Sequence, residues 1–435
     1  MLGRKPVFPR IMFQLFLYFF VLIVIAVLQF SGTSEGPGFF RERRRAFNPL
    51  DFVIPEAADI YEFNTAISNW HRENHNIWSQ QITQQINEDL VISYLAEAIM
   101  RGNYRPAISA IPAAFLNSNQ RTYNSMVFLG QTEQAARILA ASDQDSLNRI
   151  SGLLSEENYS ELLSEKDLLS FLYIRGHFDL LERVIEQINV IEPNAITISQ
   201  LPGIFETYIN LHSQNPAFDA NSAENPFERL IERALELISV SLRMNSDRNR
   251  VLIITDDNSI NTEFNLRLAK ALLEWAEYEN NEGWANLARS IILSVLWMEN
   301  GTEDFIIDPL TRLDSAGINR VLGLDQYRPQ AIGLGNFNNS WVWAFTLDNT
   351  INTAMQNNAL TIRVNFPVGE SHYMIIRGIR PFSIIQIYGM NYPSDPQFER
   401  YDSSGWRYFA ADQTLLIKVR HRSETENIVI LFPVS

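Results

Sequence analysis

The chain has 435 residues, of which 46% are hydrophobic, a formal net charge of −15 and no cysteine. Its length and hydrophobic content are enough for two or three domains with buried cores. The lack of cysteine excludes disulfides, zinc–thiolate centres and thiol nucleophiles. The acidic balance argues against nucleic acid as a partner, because phosphate binding needs a basic surface.

The first predicted element is an uncharged segment of twenty residues, Ile11–Phe30, which follows a basic tail at 1–10. As a helix it would cover about 30 Å, the thickness of a bilayer core. It is longer than the roughly 7–15 apolar residues of a cleaved signal peptide. The sequence therefore predicts an uncleaved signal-anchor, with a cleaved signal as the alternative, and a linker at 31–50.

The charges on either side of this segment bear on its orientation. Arg4, Lys5 and Arg10 lie next to it, whereas the arginines at 41–45 follow a spacer that contains Gly, Ser and Pro. The positive-inside rule then favours a cytoplasmic N-terminus and a soluble part in the periplasm of a bacterial inner membrane. Because the flanking charges nearly balance, an inverted, cytoplasm-facing topology is the alternative.

Residues 51–334 are predicted to form an array of α-helical hairpins. Apolar residues recur at helical spacing, for example at Leu268, Leu272 and Trp275 behind a cap at Asn261. The spacing does not distinguish an open α-solenoid from a closed α/α toroid. Such arrays present large surfaces to protein partners.

Four of these hairpins turn near a glycine that is followed by an aromatic or polar residue and then by Ala or Leu. The glycines are Gly102, Gly130, Gly176 and Gly283, and each is expected to adopt the left-handed conformation that ends a helix. The pattern resembles the inter-helix turn of tetratricopeptide-type repeats. That resemblance implies a helical-hairpin repeat that binds protein partners.

From residue 335 to residue 435 the hydrophobic period changes from 3.6 to 2. Alternating apolar residues predict seven strands near 341–345, 360–366, 372–377, 383–388, 406–409, 415–419 and 427–432. Seven short strands in about a hundred residues are typical of an antiparallel β-sandwich. The predicted fold class is thus α+β, in several domains, after a transmembrane helix.

The last strands also resemble the β-sandwich modules of carbohydrate-active enzymes. The shared features are the segment Gly405–Tyr408, read Gly-Trp-Arg-Tyr, and the apolar strand Thr414–Val419. The resemblance implies a polysaccharide ligand. Because residues 46–334 hold most of the negative charge, a neutral polysaccharide suits the chain better than an anionic one.

His71 and His75 share one face of a predicted helix at the i, i+4 spacing that can chelate a metal. The segment is neither H-E-x-x-H nor H-x-x-E-H, because Arg72 and Asn74 occupy the positions of the general base. We expect the two histidines to pack beside Trp78, and no metal or cofactor is predicted.

Two groups of residues are candidates for catalysis. Asp256 and Asp257 follow an apolar run, where acids can serve acid–base chemistry or simply form a solvated turn. His372, Tyr373 and Arg377 lie on one predicted strand and are the residue types of a lyase. Ordinary strand composition explains that second group equally well.

Aromatic side chains in the β region are candidates for ligand binding, since their faces stack on sugars. They are Trp341, Trp343, Tyr392 and Trp406. Trp341 and Trp343 share one face of a strand, which we expect to be the core of the sandwich. Tyr392, in a proline-rich turn, is expected to be exposed.

Together these features predict a membrane-anchored extracytoplasmic envelope protein. The leading hypothesis is a non-enzymatic scaffold or binding protein with a protein partner. The alternative is an envelope enzyme, a hydrolase or lyase, or a binding protein, that acts on a neutral polysaccharide.

Overall fold

The computed structural model of the chain describes residue 50 and residues 52–84, 86–119, 121–214, 226–256, 259–298, 311–348 and 350–433. From Phe52 onwards the chain forms one compact unit. The predicted basic tail, the segment Ile11–Phe30 and, apart from Leu50, the linker lie outside the described residues. Within the described ranges, no helix is both long and apolar enough to cross a bilayer.

The first part of the compact unit is helical. Its helices are α1 Ile60–Gln81, α2 Glu88–Met100, α3 Tyr104–Ala110, α4 Ala113–Leu116, α5 Tyr123–Phe128, α6 Thr132–Ser155, α7 Leu168–Ile174, α8 Phe178–Ile188, α9 Leu201–Gln214, α10 Pro226–Ser241, α11 Thr262–Tyr278, α12 Glu282–Met298 and α13 Ser315–Leu322. A short hairpin, β1 Leu242–Met244 and β2 Val251–Ile253, separates α10 from α11. As predicted, Asn261 caps α11, because its side chain accepts a 2.8 Å hydrogen bond from the Phe264 amide.

Three of the four predicted glycine turns have the left-handed backbone that ends a helix. The φ angle is +66° at Gly102, +67° at Gly130 and +76° at Gly176. The fourth prediction is wrong, since Gly283 lies inside α12. Asn280, with φ +54°, turns the chain there instead, as asparagine tolerates this conformation better than most residues.

The first helices of this region pack against the last ones. The Trp78 indole of α1 donates a 2.9 Å hydrogen bond to Ser315 Oγ at the start of α13. The Ile54 amide, just before α1, donates a 3.1 Å hydrogen bond to Ser290 Oγ in α12. Helices α2 and α13 are also in contact. Elements more than two hundred residues apart therefore hold the helical region together.

The second part of the unit is built of strands, and all seven predicted strands occur. The strands are β3 Gln330–Phe337, β4 Ser340–Thr346, β5 Asn352–Gln356, β6 Ala359–Asn365, β7 Ser371–Arg377, β8 Ile384–Ile387, β9 Met390–Tyr392, β10 Gly405–Phe409, β11 Thr414–Arg420 and β12 Thr425–Leu431. The first of them begins at Gln330, a few residues before the boundary expected at 335. Helices followed by strands confirm the α+β class.

These strands form two antiparallel sheets with the orders β10-β11-β7-β4-β3 and β5-β6-β12-β8-β9. The two sheets share one hydrophobic core. Ile376 and Leu415 of the first sheet are fully buried in it with Ile362 and Ile430 of the second. Full burial of each such side chain stabilises the fold by about 1.5–3 kcal/mol.

The other face of the first sheet packs on the helices, and there the structure corrects a prediction. Trp341 and Trp343 do not belong to the core between the sheets, because they lie in the cluster that joins β4 to the helices. The Trp341 indole donates a 2.8 Å hydrogen bond to the Ile174 carbonyl at the end of α7. The Arg175 guanidinium lies 4.9 Å from the ring centroid of Trp343.

Candidate functional site

The described residues enclose a cavity of about 390 Å³ in the helical region. Residues of α2, α5, α9, α11 and α13 line it, together with the segments that precede α7 and β3. Its volume falls within the roughly 300–1,000 Å³ of small-molecule sites. The cavity is therefore the candidate functional site.

Charged side chains make up much of the cavity wall. The cations are Lys166, Arg267, Lys270, Arg320 and Arg328, and the acids are Asp167, Glu206, Glu274 and Asp325. Ser93, Asn124 and Asn319 add polar groups, and no aromatic side chain of the described residues lines the cavity. A wall of this composition suits a polar, charged ligand rather than an apolar one.

Helix α11 supplies the central charges of the wall. Arg267, Lys270 and Glu274 are spaced three and four residues apart, so they share one face of the helix. Leu268 and Leu272, on another face of α11, are fully buried. Packing of the apolar face thus fixes the orientation of the charged face toward the cavity.

Two arginines of the wall already have acidic partners. The Arg267 guanidinium donates two hydrogen bonds to the Glu206 carboxylate, of 2.7 and 2.6 Å. Arg320 pairs with Asp89 at 3.0 Å and with Glu263 at 3.2 Å. These ion pairs join neighbouring helices and leave little capacity for a ligand.

Three other cations of the wall have no acidic partner. Within the described residues, none of Lys166, Lys270 and Arg328 forms an ion pair with a carboxylate. The Lys270 ammonium donates a 3.5 Å hydrogen bond to the Val321 carbonyl, and burial lowers the pKa of Lys270. The Arg328 guanidinium donates a hydrogen bond to the Gly323 carbonyl.

Gly323, which has no side chain, leaves space for the Arg328 guanidinium in the cavity wall. Its φ of +67° ends α13 in the left-handed conformation. A Cβ at this position would come within 1.6 Å of Arg328 Nη1. Any other residue would therefore both strain the turn and displace the guanidinium.

Two acids of the wall likewise lack a cationic partner. Glu274 and Asp167 are both exposed to solvent at the cavity, and neither forms an ion pair with a cation of the described residues. The surrounding walls nevertheless desolvate the Glu274 carboxylate enough to raise its pKa, although Lys270 opposes that effect. The cavity thus presents unpaired charges of both signs.

A buried polar network forms another part of the wall. Asn319 Nδ2 donates hydrogen bonds to Ser93 Oγ at 2.9 Å and to Asp325 Oδ2 at 2.6 Å. Asp325 Oδ1 lies 3.1 Å from His71 Nε2. Asn319 is fully buried, and its Oδ1 has no hydrogen-bond partner among the described residues.

The two histidines considered as metal ligands lie outside the cavity and flank Trp78. Their rings are edge-on to the indole, with centroids 5.5 Å away for His71 and 6.4 Å away for His75. His71 is held by Asp325, and burial lowers the pKa of His75. No group of three or more candidate ligands occurs in the described part of the chain.

The three candidate catalytic residues of β7 do not meet in one site. His372 is fully buried and lies 2.7 Å from Thr346 Oγ1. Tyr373 belongs to the face toward the helices, and burial raises its pKa to about 12. Arg377 on that face lies 3.3 Å from Thr414 Oγ1. A strand that alternates faces separates the histidine from the other two.

The remaining candidates are also apart from the cavity. Asp256 is exposed in the turn after β2, and Asp257 lies outside the described residues. Tyr392 is half-buried at the end of β9. The Trp406 indole donates a 2.8 Å hydrogen bond to the Tyr392 carbonyl, and its ring packs 5.4 Å from that of Phe382.

Sequence reasoning missed every charged residue of the cavity. One signal was available, because Glu263, Arg267, Lys270 and Glu274 follow one another at helical spacing in a helix whose other face is apolar. The remaining charges come from distant segments, and only the fold brings them together.

No protein-family model matches the chain, and no curated protein matches it. The resemblances to tetratricopeptide-type repeats and to carbohydrate-enzyme modules therefore stay predictions.

Proposed function

We propose that this chain is a membrane-anchored extracytoplasmic envelope protein that binds a ligand without catalysing a reaction. The observation that carries the proposal is the cavity with unpaired charges of both signs. Lys270 and Arg328 are half-buried in the wall without an acidic partner, and a charge partly withdrawn from bulk water costs free energy unless a partner compensates it. The segment Ile11–Phe30, outside the described residues, supports the anchor through its length and lack of charge.

The proposed architecture is a closed set of helices joined to a β-sandwich. Contacts of α1 and α2 with α12 and α13 support closure, since an open solenoid joins only neighbouring repeats. The core that the two sheets share supports the sandwich. Closure also explains how a cavity forms among helices from both ends of the region.

Binding is favoured over catalysis by the positions of the candidate catalytic groups. His372 is inaccessible, and Tyr373 and Arg377 are engaged on the face toward the helices. The neutral-polysaccharide alternative has less support, because the indoles of Trp341 and Trp343 pack against helices and are not free to stack on a sugar.

Protease accessibility tests the proposed topology. The full-length chain with an epitope after Ser435 is exposed to protease in intact cells, in cells with a permeabilised outer membrane and in cells with both membranes broken. We expect digestion once the outer membrane is permeable, while a cytoplasmic marker protein stays intact. Protection of the epitope until the inner membrane is broken would contradict the extracytoplasmic assignment.

A further inference from the structure

Two histidines lie side by side, fully buried, at one end of the first sheet. They are His372 of β7 and His421, which directly follows β11, and their ring centroids are 5.9 Å apart. The Phe366 ring lies against both. It stacks on the His372 ring at 4.6 Å and lies 5.6 Å from the His421 ring. The two imidazoles and the phenyl ring therefore form one buried cluster, called the histidine pair below.

Each imidazole has one nitrogen with a hydrogen-bond partner and one without. His421 Nδ1 lies 3.1 Å from the Ser423 carbonyl, and His372 Nε2 lies 2.7 Å from Thr346 Oγ1. His372 Nδ1 and His421 Nε2 have no partner among the described residues. A protonated imidazole carries an N–H at both nitrogens. Protonation of either ring would therefore leave a buried donor without an acceptor, which costs free energy.

The acids near the histidine pair do not bind its rings. Asp348 and Glu426 favour the charged form of His421, yet their carboxylates accept hydrogen bonds from nearby loop residues instead. Glu370 binds His421 through the backbone alone. Burial outweighs the acids and lowers the pKa of both histidines, and His421 adds a smaller effect on His372. Both rings are thus held neutral by the fold.

Phe366 connects the histidine pair to the segment that leads from the helices to the sheets. The Tyr327 ring, between α13 and β3, lies edge-on to the Phe366 ring at a centroid distance of 5.0 Å. Both side chains belong to the hydrophobic cluster that joins helices and sheets. Burial, with smaller effects of Asp348 and Glu424, raises the pKa of Tyr327. Its phenol therefore stays neutral in the pH range in which histidines titrate.

Tyr327 lies in the chain between two residues of the cavity wall. Asp325 binds His71 of α1 at 3.1 Å and Asn319 of α13 at 2.6 Å. Arg328 follows Tyr327 directly, and both Asp325 and Arg328 line the cavity. A displacement of the Tyr327 ring therefore moves the wall of the cavity and disturbs its contacts with two helices.

From this series of contacts we propose that the histidine pair makes closure of the cavity depend on pH. While both imidazoles are neutral, Phe366 and Tyr327 pack on them and hold the segment 325–328 in the wall. When the imidazoles take up protons, they leave the buried cluster for water, the support of Phe366 and Tyr327 is lost, and the segment 325–328 moves away from the cavity. This opening occurs whether or not the cavity binds a ligand.

The direction of the effect follows from the protonation states. In the open form the imidazoles reach water and regain an ordinary pKa of about 6.5. Below that pH the open form binds up to two more protons than the closed form. Its population then rises by up to about tenfold per pH unit for each histidine. Above about pH 7 the pair has no effect on the opening.

Hydrogen exchange of the full-length chain in nonionic detergent, followed by mass spectrometry, tests the proposal. Exchange rates are corrected for the intrinsic pH dependence of amide exchange and compared at about pH 7.5 and pH 5.5. We expect α13 and the segment 366–372 to lose protection at the lower pH, by about tenfold or more. Helix α12, which lies in the core of the helical region, reports global unfolding and should keep its protection.

Variants with glutamine, which does not titrate, test the assignment to the histidine pair. The double variant of His372→Gln and His421→Gln should show the same protection of α13 at both pH values, even if that protection is weaker throughout. Each single variant should keep part of the pH dependence, so the test does not depend on folding of the double variant. His212→Gln removes a histidine of α9 outside the cluster and should change nothing.

Three results would overturn the proposal. The first is equal protection of α13 at both pH values in the unaltered chain. The second is a pH dependence that both single variants retain in full. The third is a loss of protection in α12 that equals the loss in α13, because acid would then unfold the whole chain rather than open the cavity.

Discussion

At the scale of single residues, burial decides what the histidines of the two sheets can do. His372 is fully buried, and its ring stacks on that of Phe366 at a centroid distance of 4.6 Å. Nδ1 of His372 has no hydrogen-bond partner among the described residues. Burial, with a smaller effect of His421, holds the pKa of His372 well below its usual value.

This burial predicts a dependence of stability on pH. The folded-state pKa of His372 lies below the unfolded value of about 6.5, so the unfolded chain binds the proton more readily. The contribution of the neutral His372 to the free energy of unfolding is complete above about pH 6.5 and is lost as the pH falls below that value. Urea unfolding from pH 8 to pH 5, followed by tryptophan fluorescence, should show the free energy of unfolding decreasing by up to about 1.4 kcal/mol per pH unit from this residue.

The variant His372→Gln isolates this effect. It should lower stability at pH 8, where the imidazole is neutral in both states, and should reduce the slope of stability against pH below 6.5. Burial also lowers the pKa of His421, so part of the slope remains. A slope identical to that of the unaltered chain would contradict the assignment.

At the level of the elements, aromatic side chains of the first sheet pack directly on two helix turns. A Cβ at Gly176 would come within 2.5 Å of the Trp341 ring, and one at Gly130 within 2.7 Å of the Tyr373 ring. Both turns have positive φ angles. The glycines therefore do more than end helices, because their missing side chains let aromatic rings of the sheet lie directly on the turns.

Two glycine variants test this role against turn geometry alone. Gly102 has a φ of +66°, and nothing lies within 4 Å of its Cβ position. Gly102→Ala should cost only the strain of a left-handed alanine, roughly 1–2 kcal/mol. Gly176→Ala should cost about 1–3 kcal/mol more, from overpacking against Trp341. Equal losses in the free energy of unfolding would show that the contact with the sheet contributes nothing.

The elements show why some strands could be predicted and others could not. The interior strands β4, β6, β7, β8, β11 and β12 bury one face or both, and their alternation is visible in the sequence. The strands that were missed in these sheets, β3, β5 and β9, are all edge strands. An edge strand has one neighbour and buries less, so its hydrophobic pattern is weak.

The candidate site was far less predictable than the strands. Ser93, Lys270 and Arg328 belong to segments separated by dozens to hundreds of residues, and their proximity depends on how the helices close. Sequence periodicity shows which face of a helix is buried, yet it does not show which other helix covers that face. The charged face of α11 alone could have been recognised, and its partners could not.

In the molecule as a whole, ion pairs also join the helices to the sheets, in addition to the packing of Trp341 and Tyr373 on the glycine turns. Arg407 of β10 pairs with Glu133 of α6 at 2.6 Å. Arg420 of β11 lies 2.6 Å from Asp402, which also pairs with Arg105 of α3. These ion pairs are largely exposed, so each adds little to stability, and the buried aromatic contacts contribute more to the junction of helices and sheets.

A binding function for the cavity is tested by identifying the small molecules that remain bound to the chain when it is purified from the membranes of its own cells. The full-length chain, Lys270→Met and the control Arg137→Gln, which alters an exposed helix position outside the cavity, are purified alike, dialysed and denatured, and the released compounds are compared by mass spectrometry. We expect the unaltered chain and Arg137→Gln to release a small charged molecule in stoichiometric amount, and Lys270→Met to release much less. Equal release from all three proteins, or release from none, would contradict a binding function for the cavity.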